Sequence, residues 1–381
     1  MGTELLSSPT FGFRPTSMQS LWRNDLLPGN TIPMNIKVLF SLQGFCPSSA
    51  TRSLPDPCCW WTMSPLSNSS GSSHPVFMLL GFPGLETHHY WISIPFCSVY
   101  LIALLGNSTI LFVIKTNPSL HEPMYGFLCM LAITDLGLSL STLPTVLDLF
   151  WFNIREIGFS ACAMQLFFIH TFSFMESLVL LAMAFNCYVA ICIPLKYTRI
   201  LTNLVLVKIG LAIAARSSGI VFPTPWLLRR YTYCKSNLLS HSFCLHQDVL
   251  KLSCSDSSVN SMYGLCVILS TLVIDALLIL LSYLKIIRTV TAVASREEQL
   301  KAFNTCVSHI CVVLIFFITV IGVSMMHTFG KQVSPIAHIL MADVYLLIPP
   351  VLNPIVYSVK TQPIQKGILK TLGKRRTICL S

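Results

Sequence analysis

Residues 90–114 read YWISIPFCSVYLIALLGNSTILFVI, an apolar stretch without one acidic or basic side chain. At about 1.5 Å of rise per residue, a helix of this length crosses a hydrocarbon core of about 30 Å. Six further windows of the same kind follow: Tyr125–Leu149, Cys162–Ala190, Leu204–Leu227, Asn260–Ile287, Ala302–Phe329 and Ile336–Val359. Lipid offers the backbone no hydrogen-bond partner, so each window must satisfy its own N–H and C=O groups as a helix. The alternating segments of about ten residues that a β-barrel needs do not occur. The expected fold is an all-α membrane protein, a bundle of seven transmembrane helices over residues 90–359.

The composition agrees. Apolar residues make up 53% of the chain, charged residues 10%, and the mean hydropathy is +0.69. A soluble domain carries about 25% charged residues, and lipid penalises each charge placed within it. In such a chain a net charge of +10 points first to cytoplasmic loops, and nucleic acid is not an expected partner. One side of the bundle holds Lys115, Lys196, Arg199, Lys208, Lys285, Arg288, Arg296 and Lys301, and the tail adds Lys360, Lys366, Lys370, Lys374, Arg375 and Arg376. The other side holds only Arg155, Arg229, Arg230, Lys235, Lys251 and Lys331. The positive-inside rule then puts the N-terminus outside and the C-terminus in the cytoplasm. Most of the 15 cysteines sit in apolar runs, where a thiol behaves as a small hydrophobe.

The ends of the chain read differently. Residues 1–62 show no span and no clean signal peptide. Met63 opens a Ser/Asn-rich stretch in which Asn68-Ser69-Ser70 is a glycosylation acceptor. Residues 1–62 are therefore expected to be a disordered extension upstream of an ordinary start at Met63, and 63–89 an extracellular segment. In the cytoplasmic tail, residues 360–381, Gln362–Leu372 patterns as a short amphipathic helix. It sets Ile364, Ile368, Leu369 and Leu372 on one side and offers lysines to anionic headgroups.

Several short motifs stand at helix ends: Gly106-Asn107; Pro123-Met124-Tyr125-Gly126 before Leu131-Ala132-Ile133-Thr134-Asp135; Met183-Ala184-Phe185 before Tyr188-Val189-Ala190-Ile191-Cys192; Ser282-Tyr283; Lys301-Ala302-Phe303-Asn304-Thr305-Cys306-Val307-Ser308-His309; and Pro350-Val351-Leu352-Asn353-Pro354-Ile355-Val356-Tyr357. In this order, over about residues 76–372, they resemble the odorant receptors, a family of rhodopsin-like G-protein-coupled receptors. The long second outer loop, with His241-Ser242-Phe243-Cys244-Leu245-His246-Gln247-Asp248, resembles the class I branch, which takes water-soluble odorants. The resemblance implies a multi-pass plasma-membrane receptor for a small organic molecule, coupled to a heterotrimeric G protein of the stimulatory olfactory type.

Cys162 and Cys187 are 25 positions apart (187 − 162), about 38 Å of helix, so they stand at opposite membrane surfaces. Cys162 can meet an outer-loop cysteine, and spacing alone leaves Cys234, Cys244 and Cys254 open as partners. The resemblance implies Cys162–Cys244 and Cys234–Cys254. It also sets Asp135, Glu176 and Asn353 around a polar cavity, with Asn107 nearby. Two close carboxylates cannot both stay charged cheaply, so a sodium ion or a shared proton is expected there; a neutral hydrogen-bonded cluster is the alternative. No other cofactor is implied. Arg216 and Asp275 either pair across adjacent helices or Arg216 reaches a headgroup.

For the ligand, a stripe on the third helix (Leu166, Ile169, Ser173, Glu176) runs beside His170. A polar odorant group is expected among His170, His246, Gln247 and Ser324, and its carbon tail against Phe174. An interior hydrogen-bonded histidine is the alternative for His170. Thr328 stands where an Arg would serve a carboxylate ligand, and His327 and Lys331 are weaker substitutes. At the inner end the family's Asp-Arg-Tyr is replaced by Asn186-Cys187-Tyr188. Cys187 carries no charge and no forked donors, so the resemblance leaves two outcomes: a working receptor that signals through the inner end, Tyr357 included, or a receptor fold with impaired G-protein coupling. A transporter is disfavoured because no internal repeat appears. An enzyme is disfavoured because no nucleophile elbow, metal spacing or phosphate loop does.

Overall fold

A computed structural model describes residues 75–82, 84, 89–234, 236–293, 296–329 and 333–379; the side chains of 89, 293, 296, 298–305, 327–329, 335 and 371–379 are not described. Seven helices are long and apolar enough to cross a membrane. They are α1 (His89–Thr116), α2 (Pro123–Trp151), α3 (Phe159–Cys192), α4 (Asn203–Val221, continued past Pro223 by Pro223–Leu228), α5 (Ser258–Val293), α6 (Arg296–Phe329) and α7 (Pro335–Lys360). An eighth, α8 (Gln362–Cys379), follows the last span. Most helices outrun their apolar windows, because backbone hydrogen bonding continues into the interface where side chains turn polar.

Capping and proline account for several boundaries. Thr202 caps α4 by accepting from Val205 N at 3.4 Å, and Ser334 caps α7 by accepting from Ala337 N at 3.4 Å. Pro123 and Pro335 stand at first helical positions, where the missing N–H is harmless. Inside α7, Pro354 cannot donate to the Pro350 carbonyl four residues back. Asn107 Nδ2 on α1 supplies that bond at 2.9 Å. Gly106 lets the two helices come this close: a Cβ there would lie 2.9 Å from Pro354 Cγ.

α3 is the most buried span and α4 and α5 the least, so α3 is the axis of the bundle. It packs against α2, α4, α5 and α6, while α7 closes against α1, α2 and α6. Gln165 on α3 donates to Ser141 O at 3.0 Å and to Thr145 Oγ1 at 2.8 Å on α2.

The outer face is capped by a sheet. β1 (Val76–Leu79) pairs antiparallel with β2 (Glu156–Gly158), in register Phe77↔Ile157, and parallel with β3 (Leu238–Leu239), in register Met78↔Leu238. β1 alternates exposed and buried residues, and buried Phe77 packs edge-on to Tyr233 at 5.4 Å. Disulfides join Cys162 to Cys244 and Cys234 to Cys254, with Cα separations of 5.6 and 5.9 Å. The first pins the lid to the outer end of α3, where Gln165 Oε1 also accepts from Cys244 N at 2.8 Å.

The tail helix runs on to Cys379, beyond the expected Leu372. Ile364 and Gly367 turn inward, Gly367 beside Val113 of α1. Leu369 is 68% exposed rather than part of the buried stripe. Five residues beyond Ile364 is about 500°, so Leu369 is rotated about 140° away from it. Residues 1–62, Met63 and Asn68 lie outside the described residues.

Candidate functional site

Three polar clusters lie on the axis of the bundle, one above another. The outermost joins α3, the lid and α5. A one-turn helix, His246–Lys251, hangs from the Cys244 bridge and sets the His246 ring edge-on to the His170 ring at 6.1 Å. His246 also stands over Gly264 of α5, with Cε1 3.5 Å from the position a Cβ would take there. His246 Nε2 is buried without a hydrogen-bond partner among the described residues, and the fully buried Asn260 side chain stands against the same ring. Burial lowers His246 to about 4, and a side-chain hydrogen bond with Asn260 works in the opposite direction. The imidazole is therefore neutral at neutral pH, able to donate or accept. An unsatisfied buried polar group costs about 1–3 kcal/mol. The buried His246–Asn260 pair beside His170 therefore offers polar groups that a ligand could satisfy.

Other residues expected here are placed differently. Gln247 is exposed, because a one-turn helix that buries Asp248 and Val249 turns Gln247 outward. Ser324 is exposed and donates to Val320 O at 2.9 Å within α6. The side chains of His327 and Thr328 lie outside the described ones, as does Lys331. Phe174 is buried on α3. Ser173 accepts a hydrogen bond from Tyr345 of α7 at 2.6 Å. Neither Asn260 nor Tyr345 stands out in the sequence. Asn260 opens an apolar window where an end residue draws no notice, and Tyr345 reads as one more apolar position.

The lid has its own ionic support. Buried Asp248 pairs with His241, and Lys251 Nζ bonds it at 3.0 Å. Burial would raise the Asp248 carboxyl, but the hydrogen bond and charge of His241, with Lys251, bring it to about 2. Ser242 donates to Asp343 of α7 at 3.1 Å, tying the lid to a second span.

The middle cluster is Asp135, Glu176 and Asn353, all buried. Asn353 Nδ2 donates to Asp135 Oδ1 at 3.2 Å, Asp135 Oδ2 at 3.1 Å and Glu176 Oε1 at 3.2 Å. Asn353 Oδ1 is buried with no partner among the described residues. Asn107 does not join this cluster, since its amide bonds Ala103 O at 3.0 Å and Pro350 O. Nearby, Asp275 of α5 accepts from Ser177 at 2.8 Å, with the charge of Arg216 acting on it from α4.

The innermost cluster lies where α3, α5, α6 and α7 converge. Asn186 Oδ1 accepts from Tyr197 at 3.1 Å, which gives it a partner in the absence of an arginine. Cys187 is buried on α3, as Cys306 is on α6. Tyr283 of α5 bonds His309 of α6. Tyr357 donates to Met183 Sδ at 3.9 Å. Lys285 lies 5.7 Å over the Tyr188 ring.

Seven spans, an outer lid bridged to the third span and a polar axis leading inward are the architecture of a rhodopsin-like receptor. The fold matches that of squid rhodopsin with a TM-score of 0.62 at 19% identity, covering 79% of this chain and 92% of the other. The family model described as olfactory receptor matches residues 96–375. Human olfactory receptor 51L1 is 64% identical over 309 residues, 81% of this chain and 98% of the relative. Human olfactory receptor 51G2 is 59% identical over 307 residues, with the same coverage of both chains. Mouse olfactory receptor 51E2 is 52% identical over 302 residues, 79% of this chain and 94% of the relative. The chain belongs to the olfactory receptor family. It is a multi-pass plasma-membrane receptor that senses odorants through a G protein, and it is not an enzyme.

Proposed function

We propose that the chain binds a small, partly water-soluble organic molecule under the lid and passes the event to a stimulatory G protein of the olfactory type. The observation that carries this reading is the buried polar pair His246 and Asn260 beside His170, with His246 Nε2 left without a partner among the described residues. A ligand hydroxyl, carbonyl or carboxyl would satisfy them, and its carbon chain would lie against Phe174 and the apolar walls of α3. A neutral His246 suits a hydrogen-bonding group better than it suits a fixed anion.

The Asp135–Glu176–Asn353 cluster fits a sodium ion or a shared proton. Its donors are hard oxygens, its two carboxylates share one amide, and the Asn353 carbonyl oxygen has no partner among the described residues. Asp135, Glu176 and Asn353 would hold the ion, which would offset the negative charge between α2, α3 and α7. Replacing sodium by choline should then lower the receptor's thermal stability, and equal stability in the two salts would remove the ion from the reading.

A second reading has one observation in its favour. Cys187 is buried and uncharged where the family carries an arginine, so it brings no charged side chain toward the G-protein face at that position. Coupling would then be weak although the pocket is intact. The experiment is odorant-driven cAMP in cells carrying the olfactory stimulatory G protein, with a panel of acids, alcohols, aldehydes and thiols and a surface-staining control. The parent runs beside an Asn186→Asp, Cys187→Arg double variant. A response from the parent supports the first reading. A response from the equally exposed variant alone supports the second. Unchanged responses in His246→Leu and Asn260→Leu would refute the proposed ligand position.

A further inference from the structure

A groove opens on the outside of the bundle, between the outer ends of α3 and α4. Ala163, Met164 and Phe167 line it from α3, and Phe222, Trp226 and Arg229 from the end of α4. Met164, Phe222 and Trp226 are exposed, and among the described residues no acidic side chain lines the groove. Its volume is about 360 Å³. At about 30 Å³ for a group the size of a water molecule, it holds about 12 such groups, which suits one acyl chain and not two.

The charge at the rim is unusual for this side of the membrane. Basic residues gather in the cytoplasm by the positive-inside rule, yet Arg229 and Arg230 directly follow α4 at its outer end. Other outer cations have protein partners: Arg155 bonds Asn153 at 3.1 Å, and Lys251 bonds Asp248 at 3.0 Å. Arg230 lies over the Trp226 ring, 4.1 Å from its centroid, and so supports one wall of the groove. The Arg229 side chain makes no ion pair among the described residues and lines the groove instead. A tryptophan at a span end marks the headgroup level, and a guanidinium there matches a phosphate with two parallel N–H···O bonds.

We propose that this groove is a phospholipid site: a lipid of the outer leaflet sets its phosphate on Arg229 and lays one acyl chain between α3 and α4. The bound lipid braces the lid over the odorant pocket. Phe159, the first residue of α3, lines the groove and packs on Phe77 of β1 at 6.3 Å and on Tyr233 at 5.9 Å.

The test is native mass spectrometry of the full chain released from detergent and titrated with dioleoyl phosphatidylglycerol. The parent should retain one lipid. Arg229→Gln should bind it about tenfold more weakly, as expected for loss of a charged hydrogen-bonding group. Met164→Trp, which fills the groove, should abolish retention. Arg155→Gln, whose site does not line the groove, should bind as the parent does. The two groove substitutions lie on different spans, so a folding fault in one leaves the other to decide. Inorganic phosphate, dioleoylglycerol and oleate should not displace the lipid. Equal retention by the parent and both groove variants, or displacement by any of the three competitors, would overturn the proposal. In a second arm, lipid at about ten times its Kd should slow thermal inactivation of the parent about tenfold and leave Met164→Trp unchanged. Retention without slower inactivation would overturn the bracing of the lid.

Discussion

Replacing Asn353 by Ala removes the only side chain that bridges two buried carboxylates among the described residues. Its amide makes three contacts of 3.1–3.2 Å to Asp135 and Glu176, each residue no more than 1% exposed. A hydrogen bond to a charged group contributes about 1.5–3 kcal/mol, and unpairing a buried charge costs about 3–5 kcal/mol. Part of that loss is recovered when one carboxyl takes up a proton, so a destabilisation of about 3 kcal/mol is expected. At about 1.4 kcal/mol per tenfold, this is roughly a hundredfold faster thermal inactivation. The assay is inactivation at fixed temperature, followed by a thiol-reactive dye that reports exposure of the buried Cys187 and Cys306. Adding Asp135→Asn in the Asn353→Ala background should restore stability, because one of the two facing carboxylates is gone. The coupling in the double-mutant cycle should exceed about 1 kcal/mol. Inactivation within threefold of the parent, or strict additivity of the two substitutions, would refute the reasoning.

Other outcomes follow from the same structure. His246 is lowered from 6.5 to about 4, so it is neutral in the fold. The unfolded chain takes up a proton first as pH falls, and stability should be full above about 6.5 and drop by at most about 3 kcal/mol by pH 4; a pH-stability profile that keeps the same slope in His246→Gln would contradict this. Gly106→Val should cost about 1–3 kcal/mol by forcing α1 away from Pro354, and surface staining with thermal inactivation would read it. Loss of the Cys162–Cys244 bridge should destabilise more than loss of Cys234–Cys254, because the sequence separations are 82 and 20. In the chain-entropy account the difference is about 1 kcal/mol, and equal inactivation rates of Cys244→Ser and Cys254→Ser would count against it.

Much of this protein is written in local sequence. Seven apolar windows are enough for seven helices, because lipid leaves an isolated backbone no other way to satisfy its polar groups. The loop charges give the topology, and the helix-end motifs carry the family. Motif positions mark Asp135 and Asn353, and Asp135 and Glu176 stand out as charges inside apolar runs without any structure. Tertiary structure alone decided what those residues touch. That Asn353 bridges both carboxylates while Asn107 serves the Pro350 carbonyl depends on how α1 and α7 pack at Gly106. Gln247 turns away and Asn260 turns in because a one-turn helix and the start of α5 fix two directions that composition leaves free. The strand Val76–Leu79 escapes a reading tuned to apolar windows, since its partners are 80 and 160 residues away along the chain.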